Sequence, residues 1–463
     1  MGSMAAPPCH LVAVPYPGRG HVNAMLNLCR ILTARDGVSA TVVVTEEWLG
    51  LLGSPPAGRV RFEAIPNVIP SEHGRAADMP GFLEAVYTRM AAPFERLLDR
   101  LPAPPQAIVA DVFVPWTVAV GARRGVPVCA MCPLSATMFA VQYSFHRLPP
   151  AAAAAGGGSP DGTGDCLIED YIPGTKSIRF ADLAPTHTNP ALLDRVIEAY
   201  STGVKKAQCV IFTSFQELES DAIAAIRQEL PCPVYAVGPC IPFMALQQEE
   251  VNKPNNKYPD GDGDGDGHMA WLDAQPAGSV LYVSLGSFLS VSSAQLDEIA
   301  GGLATSGARF LWVLRDAGAR ARVARVGGGR GVAVPWTDQL RVLCHPSVGG
   351  FFTHSGMNST LEAVYAGVPM LTLPIAFDQP TNSRLVAEVW KTGIGLKETT
   401  AHGGVVGREE IAAAVERLMR PGSAEAVEMR KRASLLKDAA RAACEEGGSS
   451  WKDVTSFIRF VSS

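Results

Sequence analysis

The chain has 463 residues, of which 47% are hydrophobic and 18% charged, with a net charge of -5 and an isoelectric point near 6.0. This length predicts two domains, and the composition is that of a folded protein with large apolar cores. Because nucleic acids and anionic membranes bind clustered Lys and Arg, the weak negative charge argues against both partners and favours small molecules.

Cysteine spacing and the N-terminal residues bear on the cellular compartment. The ten cysteines are spread from Cys9 to Cys444, unlike the dense pattern of a disulfide-stabilised secreted domain, so we expect them to be reduced. The C-x-x-C pair Cys129 and Cys132 is interpreted as two core thiols. The first ten residues have no basic stretch before an apolar run, and nowhere do 18 apolar residues follow one another. We therefore expect a cytoplasmic monomer without a membrane span.

Short β-branched runs alternate with stretches of helical period in the first half of the chain. The predicted strands are 11–16, 40–45, 59–65, 107–111, 126–131, 209–213 and 233–237. The stretches of helical period include 21–32, 80–100 and 216–229. This alternation is typical of a parallel sheet covered by helices, so residues 1–240 are predicted to form one Rossmann-like domain. An Ala- and Gly-rich segment within it, 149–165, is interpreted as a surface loop.

A polar segment, 241–268, is predicted to be the interdomain linker, because it is rich in residues that break helices and strands. Its Asp–Gly repeat has the ligand spacing of an EF-hand, but Gly fills the spacers and no helical pattern precedes it, which favours an acidic linker. Strands are then predicted at 279–285, 309–314, 331–334, 349–353, 369–373 and 393–396. Residues 269–445 are thus expected to form a second Rossmann-like domain, with 446–463 a helix that packs back on the first.

The segment that follows the predicted strand 349–353 is suited to binding phosphate. His354 and Gly356 come directly after the strand, and Asn358 and Ser359 fall in the first turn of the next helix. Unpaired backbone N–H groups and the positive end of the helix dipole favour phosphate there. Gly356 lets the backbone approach a ligand closely. These features predict a nucleotide site.

Other side chains near this segment are suited to a base, a ribose and a sugar. Trp336 can stack on a base, and Glu362, one helical turn after Asn358, can accept hydrogen bonds from two vicinal ribose hydroxyls. Asp378 and Gln379 offer acceptors and an amide donor to sugar hydroxyls. The segment as a whole therefore predicts a nucleotide-sugar site.

The same segment resembles the signature of the plant secondary-product UDP-glycosyltransferases, which runs W-x-P-Q, H, G-x-F-x-T-H-C-G-W-N-S-x-x-E and D-Q. The matching residues are Trp336, Gln339, His345, Gly349, Phe351, Thr353, His354, Gly356, Asn358, Ser359, Glu362, Asp378 and Gln379. The resemblance implies a GT-B fold, two Rossmann-like domains facing each other across a cleft. It also implies a UDP-sugar as co-substrate, with no metal and no other cofactor.

The resemblance further assigns parts of the donor to side chains of the motif: Trp336 to uracil; Gln339 and Glu362 to ribose; His354, Asn358 and Ser359 to the diphosphate; Asp378 and Gln379 to the sugar. Thr337 and Ser287, the latter in the turn after the strand YVSLG, complete the expected donor site. A final Gln, rather than His, usually goes with glucose as the sugar. Three residues depart from the family pattern: Asp338 for Pro, Ser355 for Cys and Met357 for Trp. The family's Trp lies beside the sugar, whereas Met offers only a weak acceptor.

Two residues of the first half are candidates for the catalytic base and its partner. His21 follows the first predicted strand, where the helix dipole disfavours an imidazolium and keeps the ring basic. Asp111 ends the strand 107–111 and could bond the second ring nitrogen, or it could cap the helix that follows. The resemblance agrees with a base, because family members carry a His and an Asp in these contexts.

These residues together predict an inverting transfer of a sugar, glucose by the family's pattern, from a UDP-sugar to an acceptor hydroxyl, with His21 as general base. The acceptor is expected to be a small lipophilic molecule, such as a plant secondary metabolite, a hormone or a xenobiotic. One alternative is a non-catalytic or weakly active UDP-sugar-binding protein. Another is an oxidoreductase, but the glycine fingerprint at Gly18 and Gly20 lacks its third glycine.

Four apolar side chains of the first half have two interpretations. They can line an acceptor pocket or pack in the core, and the sequence does not choose between these roles. The four residues are Phe82, Trp116, Met138 and Phe139.

Overall fold

The computed structural model describes residues 9–53, 58–72, 75, 78–149, 166–183, 190–244, 246, 267–286, 291–326, 328–396 and 404–463. Three predicted features lie outside these residues: Ser287 of the donor site, the Asp–Gly repeat with most of the linker, and the Ala- and Gly-rich segment from residue 150 onward.

A parallel sheet of seven strands forms the first half, in the order β3-β2-β1-β4-β5-β6-β7. Its strands are β1 Cys9–Val14, β2 Val38–Thr45, β3 Val60–Ile65, β4 Ala107–Asp111, β5 Val128–Cys132, β6 Cys209–Phe212 and β7 Val234–Ala236. The helices between them are α1 Arg19–Thr33, α2 Glu46–Leu52, α3 Met79–Arg89, α4 Ala91–Leu98, α5 Trp116–Arg124, α6 Ala136–Tyr143, α7 Pro190–Glu198 and α8 Ser220–Glu229. The strand order reverses between β1 and β4, and a crevice opens at the carboxyl ends of strands at such a point.

A second parallel sheet has six strands in the order β10-β9-β8-β11-β12-β13. Its strands are β8 Val280–Ser284, β9 Arg309–Val313, β10 Gly331–Val334, β11 Val348–Thr353, β12 Met370–Thr372 and β13 Gly393–Gly395. The helices of this half are α9 Gly267–Asp273, α10 Ser293–Ser306, α11 Ala317–Val326, α12 Gln339–Leu343, α13 Met357–Ala366, α14 Gln379–Arg384, α15 Arg408–Met419, α16 Ala424–Cys444 and α17 Ser449–Ser462. Here the order reverses between β8 and β11.

The central strands are buried on both faces, as their continuous apolar sequences require. Every residue of β11 is buried, and its Phe351 and Phe352 lie in different apolar clusters on opposite faces of the sheet. Burial of one such side chain contributes about 1.5–3 kcal/mol to stability. On the first sheet, Cys129 and Cys132 are free thiols buried in β5.

The predicted strands all occur, each within two residues of its expected bounds, and the predicted fold class of two Rossmann-like parallel-sheet units is confirmed. The single helix expected at 80–100 is wrong. It is divided at Met90 into α3 and α4. Pro93 explains the division, because a proline ring clashes with the carbonyl four residues earlier, that of Arg89. The helix expected at 216–229 begins later, at Ser220.

The last helix, α17, packs on the first sheet. Phe457 lies edge-on to Tyr235 of β7, with 5.7 Å between ring centroids. Asp453 Oδ2 accepts a hydrogen bond of 2.7 Å from the backbone N–H of Ala236, and the Ser450 hydroxyl donates to the carbonyl of Gly238. The end of the chain thereby holds the two halves together.

Candidate active site

His21 and Asp111 meet at the reversal point of the first sheet. His21 lies in the first turn of α1, which follows β1, and Asp111 is the last residue of β4. Their side chains are joined by a hydrogen bond of 2.7 Å between His21 Nδ1 and Asp111 Oδ2. The Asp111 side chain is fully buried and that of His21 is 23% exposed. The pair therefore has a buried acid and a histidine that solvent or a substrate can reach through Nε2.

The second carboxylate oxygen of Asp111 is also held. Its Oδ1 accepts a hydrogen bond of 3.0 Å from the backbone N–H of Phe113. The next helix, α5, begins only at Trp116 and has Pro115 at its N-cap position, so the alternative that Asp111 caps this helix is wrong. Both oxygens of Asp111 are instead used to orient one carboxylate toward His21.

Aromatic rings surround the histidine. The ring centroid of Tyr16 lies 4.9 Å from that of His21, and that of Phe113 lies 5.8 Å away. Phe82 packs edge-on to Tyr16 at 6.1 Å. These rings form an apolar wall beside the imidazole, where a hydrogen bond or a charge is less screened than in water.

Two of the four apolar residues with two interpretations are core residues. Phe139 is fully buried and packs against Phe212 and Tyr200, at 4.9 and 5.1 Å between centroids. Met138 is buried beside the other half of the chain, where its sulfur accepts a hydrogen bond from Thr381. Phe82 is also buried, and it belongs to the aromatic wall through its contact with Tyr16.

His354 lies at the reversal point of the second sheet, directly after β11. Burial lowers its pKa to about 4, so the ring is neutral at physiological pH and contributes an N–H rather than a charge. A Cβ at Gly286 or at Gly356 would lie 2.7 or 2.6 Å from its Nε2. Only glycine allows the two turns to close on this ring, and Gly286 also has a φ of 88°, which favours glycine.

The N-terminus of α13 faces the loop of His21. Gly356 is the N-cap and forms no side-chain cap, so the first backbone N–H groups of the helix are available to an anion. Asn358, in the first turn, donates a hydrogen bond of 2.7 Å from Nδ2 to the carbonyl oxygen of Gly20. Because Gly20 precedes His21, this bond places the candidate base beside the candidate phosphate site.

Gln339 and Glu362, which are predicted to bind the ribose, form one hydrogen-bonded group with Ser359, which is predicted to bind the diphosphate. Gln339 Nε2 donates to Glu362 Oε2 at 2.6 Å and to Ser359 Oγ at 2.9 Å. Burial raises the pKa of Glu362 to about 7; the hydrogen bond from Gln339 lowers it and the charge of Asp338 raises it. Glu362 is therefore an acceptor whose ionisation changes near neutral pH.

Trp336 and Thr337 lie at the end of this group, before α12. The Trp336 side chain is 54% exposed, and an exposed indole can stack on a base. Thr337 is buried, and its hydroxyl hydrogen-bonds the Tyr282 hydroxyl at 2.8 Å. Thr337 thus anchors the segment that carries Trp336 to the buried Tyr282.

Asp378 and Gln379 lie at the start of α14. The Gln379 Oε1 accepts hydrogen bonds from the backbone N–H groups of Ile375 and Ala376, at 2.7 and 3.0 Å, which leaves its amide as the group that can donate. Burial raises the pKa of Asp378, whereas a hydrogen bond from Asn382 and the electrostatic effect of His21 lower it. Asp378 and His21 are therefore close enough to interact across the cleft.

The structure adds supporting residues that motif reasoning missed. Asn382 bonds Asp378, and Ser355, noted in the sequence only as a departure from the family, donates to the carbonyl of Gln379 at 2.9 Å. The spacing of four residues between Asp378 and Asn382, one helical turn, was the available signal for Asn382. Met357 is 4% exposed in the apolar core, so it packs rather than presenting a polar group.

The sequence is similar to those of known proteins. A model for the family described as UDP-glucoronosyl and UDP-glucosyl transferase matches residues 263–438. UDP-glycosyltransferase 87A2 of Arabidopsis thaliana is 43% identical over 458 residues, which cover 98% of this chain and 96% of the relative. The chain belongs to the plant family 1 UDP-glycosyltransferases. Indole-3-acetate beta-glucosyltransferase of Zea mays is 33% identical over 98% of both chains.

A solved structure of this UDP-glycosyltransferase family has the same fold. UGT71G1 of Medicago truncatula, complexed with UDP-glucose, has a TM-score of 0.82 and 25% identity, covering 98% of each chain. The predicted GT-B architecture is thereby confirmed. The protein is a UDP-glycosyltransferase with a UDP-sugar as co-substrate and small molecules as acceptors.

Two further observations concern only the part of the chain that the structure describes. It contains no group of three or more His, Cys, Asp or Glu side chains arranged to hold a metal ion. None of its helices combines the length and apolar character needed to cross a membrane.

Proposed function

We propose that this UDP-glycosyltransferase transfers glucose from UDP-glucose to a hydroxyl group of a small lipophilic acceptor, with inversion at the anomeric carbon and with His21 as general base. The observation that carries this proposal is the 2.7 Å bond between His21 and Asp111, which lies beside the proposed phosphate site. The hydrogen bond from Asn358 to the carbonyl of Gly20 also supports the proposal, because it brings the start of α13 next to the loop of His21.

His21 is proposed to take the proton of the acceptor hydroxyl. With Nδ1 protonated and bonded to Asp111, Nε2 has a free lone pair and accepts that proton as the acceptor oxygen attacks the anomeric carbon. The buried Asp111 carboxylate stabilises the imidazolium that forms. The new C–O bond forms on the face opposite UDP, so the configuration inverts.

The bond between the anomeric carbon and the diphosphate oxygen breaks in the same step, and its electron pair leaves with UDP. The backbone N–H groups at the start of α13 and the side chains of Asn358 and Ser359 are proposed to receive the developing negative charge. His354 would add a neutral N–H donor. Ser287, which lies outside the described residues, is proposed to join this group.

Trp336, Gln339 and Glu362 are proposed to bind the uridine, with the indole on uracil and the two polar side chains on the ribose hydroxyls. The exposed face of Trp336 and the position of Gln339 beside Glu362 support these roles. Binding would replace the bond between Gln339 and Glu362 with bonds to the ribose.

The Glu362 assignment predicts a pH dependence of donor binding. Because the pKa of Glu362 is about 7 without donor, and ribose hydroxyls donate to the ionised form, binding releases a proton when pH is below that value. We expect the Kd of UDP-glucose to rise as pH falls below neutrality, by at most about tenfold per pH unit. Titration calorimetry measures this, and Glu362→Gln should flatten the profile. A wild-type Kd that does not change across neutral pH would contradict the assignment.

Asp378 and the amide of Gln379 are proposed to bind the sugar hydroxyls, with glucose as the preferred sugar. The names of relatives support glucose, since the Zea mays protein is an indole-3-acetate beta-glucosyltransferase. The name of that protein also supports inversion, because a beta-glucosyltransferase forms a β-product from the α-anomer present in UDP-glucose.

The acceptor is proposed to enter beside the aromatic wall of Tyr16, Phe82 and Phe113. Tyr16 and Phe113 adjoin His21 and offer apolar contact to a lipophilic molecule whose hydroxyl reaches Nε2. Phe82 is buried and packs against Tyr16, which supports the wall. A plant secondary metabolite, a hormone or a xenobiotic with an aromatic or alicyclic body has this character.

A second candidate is a UDP-sugar-binding protein with little or no transferase activity. Met357 favours it, because the family's Trp at this position is replaced by a residue without a donor. The bonded pair of His21 and Asp111 opposes it, since a binding protein needs neither.

A mass-spectrometric screen tests the proposal. Lipophilic alcohols, phenols and carboxylic acids are incubated with UDP-glucose, UDP-galactose or UDP-glucuronic acid, and products are identified by mass and anomeric configuration. We expect β-glucosides of hydroxyl-bearing acceptors and faster reaction with UDP-glucose than with the other donors. Donor hydrolysis without any glycoside would favour the binding protein, and α-glucosides would overturn inversion.

A further inference from the structure

A buried amide lies beneath the residues proposed to bind the sugar. Asn382 of α14 follows Asp378 by one helical turn, and its side chain is completely buried. Its Nδ2 donates hydrogen bonds to Asp378 Oδ2 at 2.8 Å and to the carbonyl oxygen of Ser355 at 3.0 Å. Both partners are acceptors. The orientation of the amide is therefore fixed, because the opposite orientation would place its oxygen against two oxygens.

Ser355 makes a second connection between the same two segments. Its hydroxyl is within hydrogen-bond distance of the carbonyls of Gln379, at 2.9 Å, and of His354, at 2.5 Å. The residue is buried and has a φ of 60°, so the chain turns sharply here. The loop after β11 and the start of α14 are thus one bonded unit, and Asn382 is the member that contacts the carboxylate.

We infer that Asn382 is a positioning residue for the donor sugar, whose amide holds the Asp378 carboxylate as an ionised acceptor for sugar hydroxyls. The inference rests on the proposed role of Asp378 in sugar binding. A buried carboxylate that is held by a directed donor is already oriented before the ligand binds, which reduces the ordering cost of binding.

Electrostatics supports this role. Burial raises the pKa of Asp378, and the bond from Asn382 opposes that effect. The titratable group that acts on Asp378 from the opposite half is His21. Without the Asn382 amide, Asp378 takes up a proton at a higher pH, and a protonated carboxyl is a poorer acceptor for the sugar.

The test compares UDP-glucose with UDP, which lacks the sugar and has a free terminal phosphate. For Asn382→Ala we expect the Kd of UDP-glucose to rise on the order of 10- to 100-fold, as for loss of a hydrogen bond to a charged group, with the Kd of UDP unchanged. The loss of UDP-glucose binding on acidification should also begin at a higher pH in the variant than in the wild type. Equal weakening of UDP and UDP-glucose would show a merely structural role and overturn the inference.

Control variants separate this inference from the proposed role of Asp378. Asn27→Ala removes another buried amide that donates to a backbone carbonyl, that of Cys240, and should leave the ratio of the two Kd values unchanged. Asp378→Ala should weaken UDP-glucose binding, and adding Asn382→Ala to it should have no further effect. If Asp378→Ala has no effect, the proposed function of Asp378 fails. If only Asn382→Ala has none, this inference fails alone.

A second substitution covers the case in which the alanine variant does not fold. Asn382→Leu retains a similar side-chain volume while removing the donor, so the same selective loss of UDP-glucose binding is expected. Unchanged binding of UDP-glucose in a folded Asn382→Leu protein would overturn the inference.

Discussion

Replacement of His21 by alanine is expected to lower the rate of glycosyl transfer by about 10²–10⁴-fold, the usual contribution of a general base. The Kd of UDP-glucose should stay close to the wild-type value, because the proposed donor site consists of side chains from the second half of the chain. Single-turnover transfer measured by mass spectrometry, with calorimetry of UDP-glucose binding, checks both parts.

His10→Ala provides a matched control for this prediction. His10 belongs to the same sheet, on β1, and its Nε2 hydrogen-bonds the Thr41 hydroxyl at 2.9 Å. Loss of this histidine removes one imidazole from the domain without touching the cleft, so transfer should continue at nearly the wild-type rate. Transfer by His21→Ala at the rate of His10→Ala would refute the role of His21 as base.

The central strands could be predicted because their apolar residues follow one another without interruption, and such runs are buried on both faces of a sheet. β4 and β11 are continuous apolar runs bounded by breaking residues, the pattern of a strand covered on both faces. The stretch 80–100 was harder to predict, because its apolar residues keep a helical spacing through Pro93. The backbone nevertheless forms two helices there rather than one. The spacing of apolar residues along the sequence indicates which side chains are buried. Where a helix ends depends on its backbone hydrogen bonds.

The candidate site was predictable where a single segment or a strand end carries it. His354, Asn358 and Glu362 follow from a strand, a glycine turn and one helix face, and Asp111 from the end of a strand. The bond between Asn358 and Gly20 joins residues 338 positions apart, and depends on how the two halves pack. A local sequence pattern does not predict that packing. It also does not predict the hydrogen bonds of Asn382 and Ser355.

The choice between two roles for Asp111 illustrates the same limit. A carboxylate before a helical pattern satisfies the sequence rule for an N-cap. In the structure, Pro115 lies between it and the helix, and the carboxylate turns back to Phe113 and across to His21. The deciding contact is with a residue 90 positions away.

Asp111→Asn is expected to cost about as much activity as loss of His21, on the order of 10²–10⁴-fold, although the new side chain has the same shape. The Phe113 N–H donates to Oδ1 in the wild type, so the amide oxygen of the variant must stay there. The NH₂ group then faces His21 Nδ1, which becomes an acceptor, and the ring proton moves to Nε2. A protonated Nε2 cannot accept the proton of a hydroxyl.

This tautomer argument makes the two substitutions non-additive. The double variant His21→Ala with Asp111→Asn should be no slower than His21→Ala alone, because Asp111 acts through the histidine. Asp453→Asn is the matched control. The Asp453 carboxylate also accepts a hydrogen bond from a backbone N–H, that of Ala236, but it belongs to α17 and contacts β7 rather than His21. The measurement is kcat/KM for the acceptor. If the fold-losses of the two single variants multiply in the double variant, Asp111 contributes independently of His21 and the proposed pairing is incorrect.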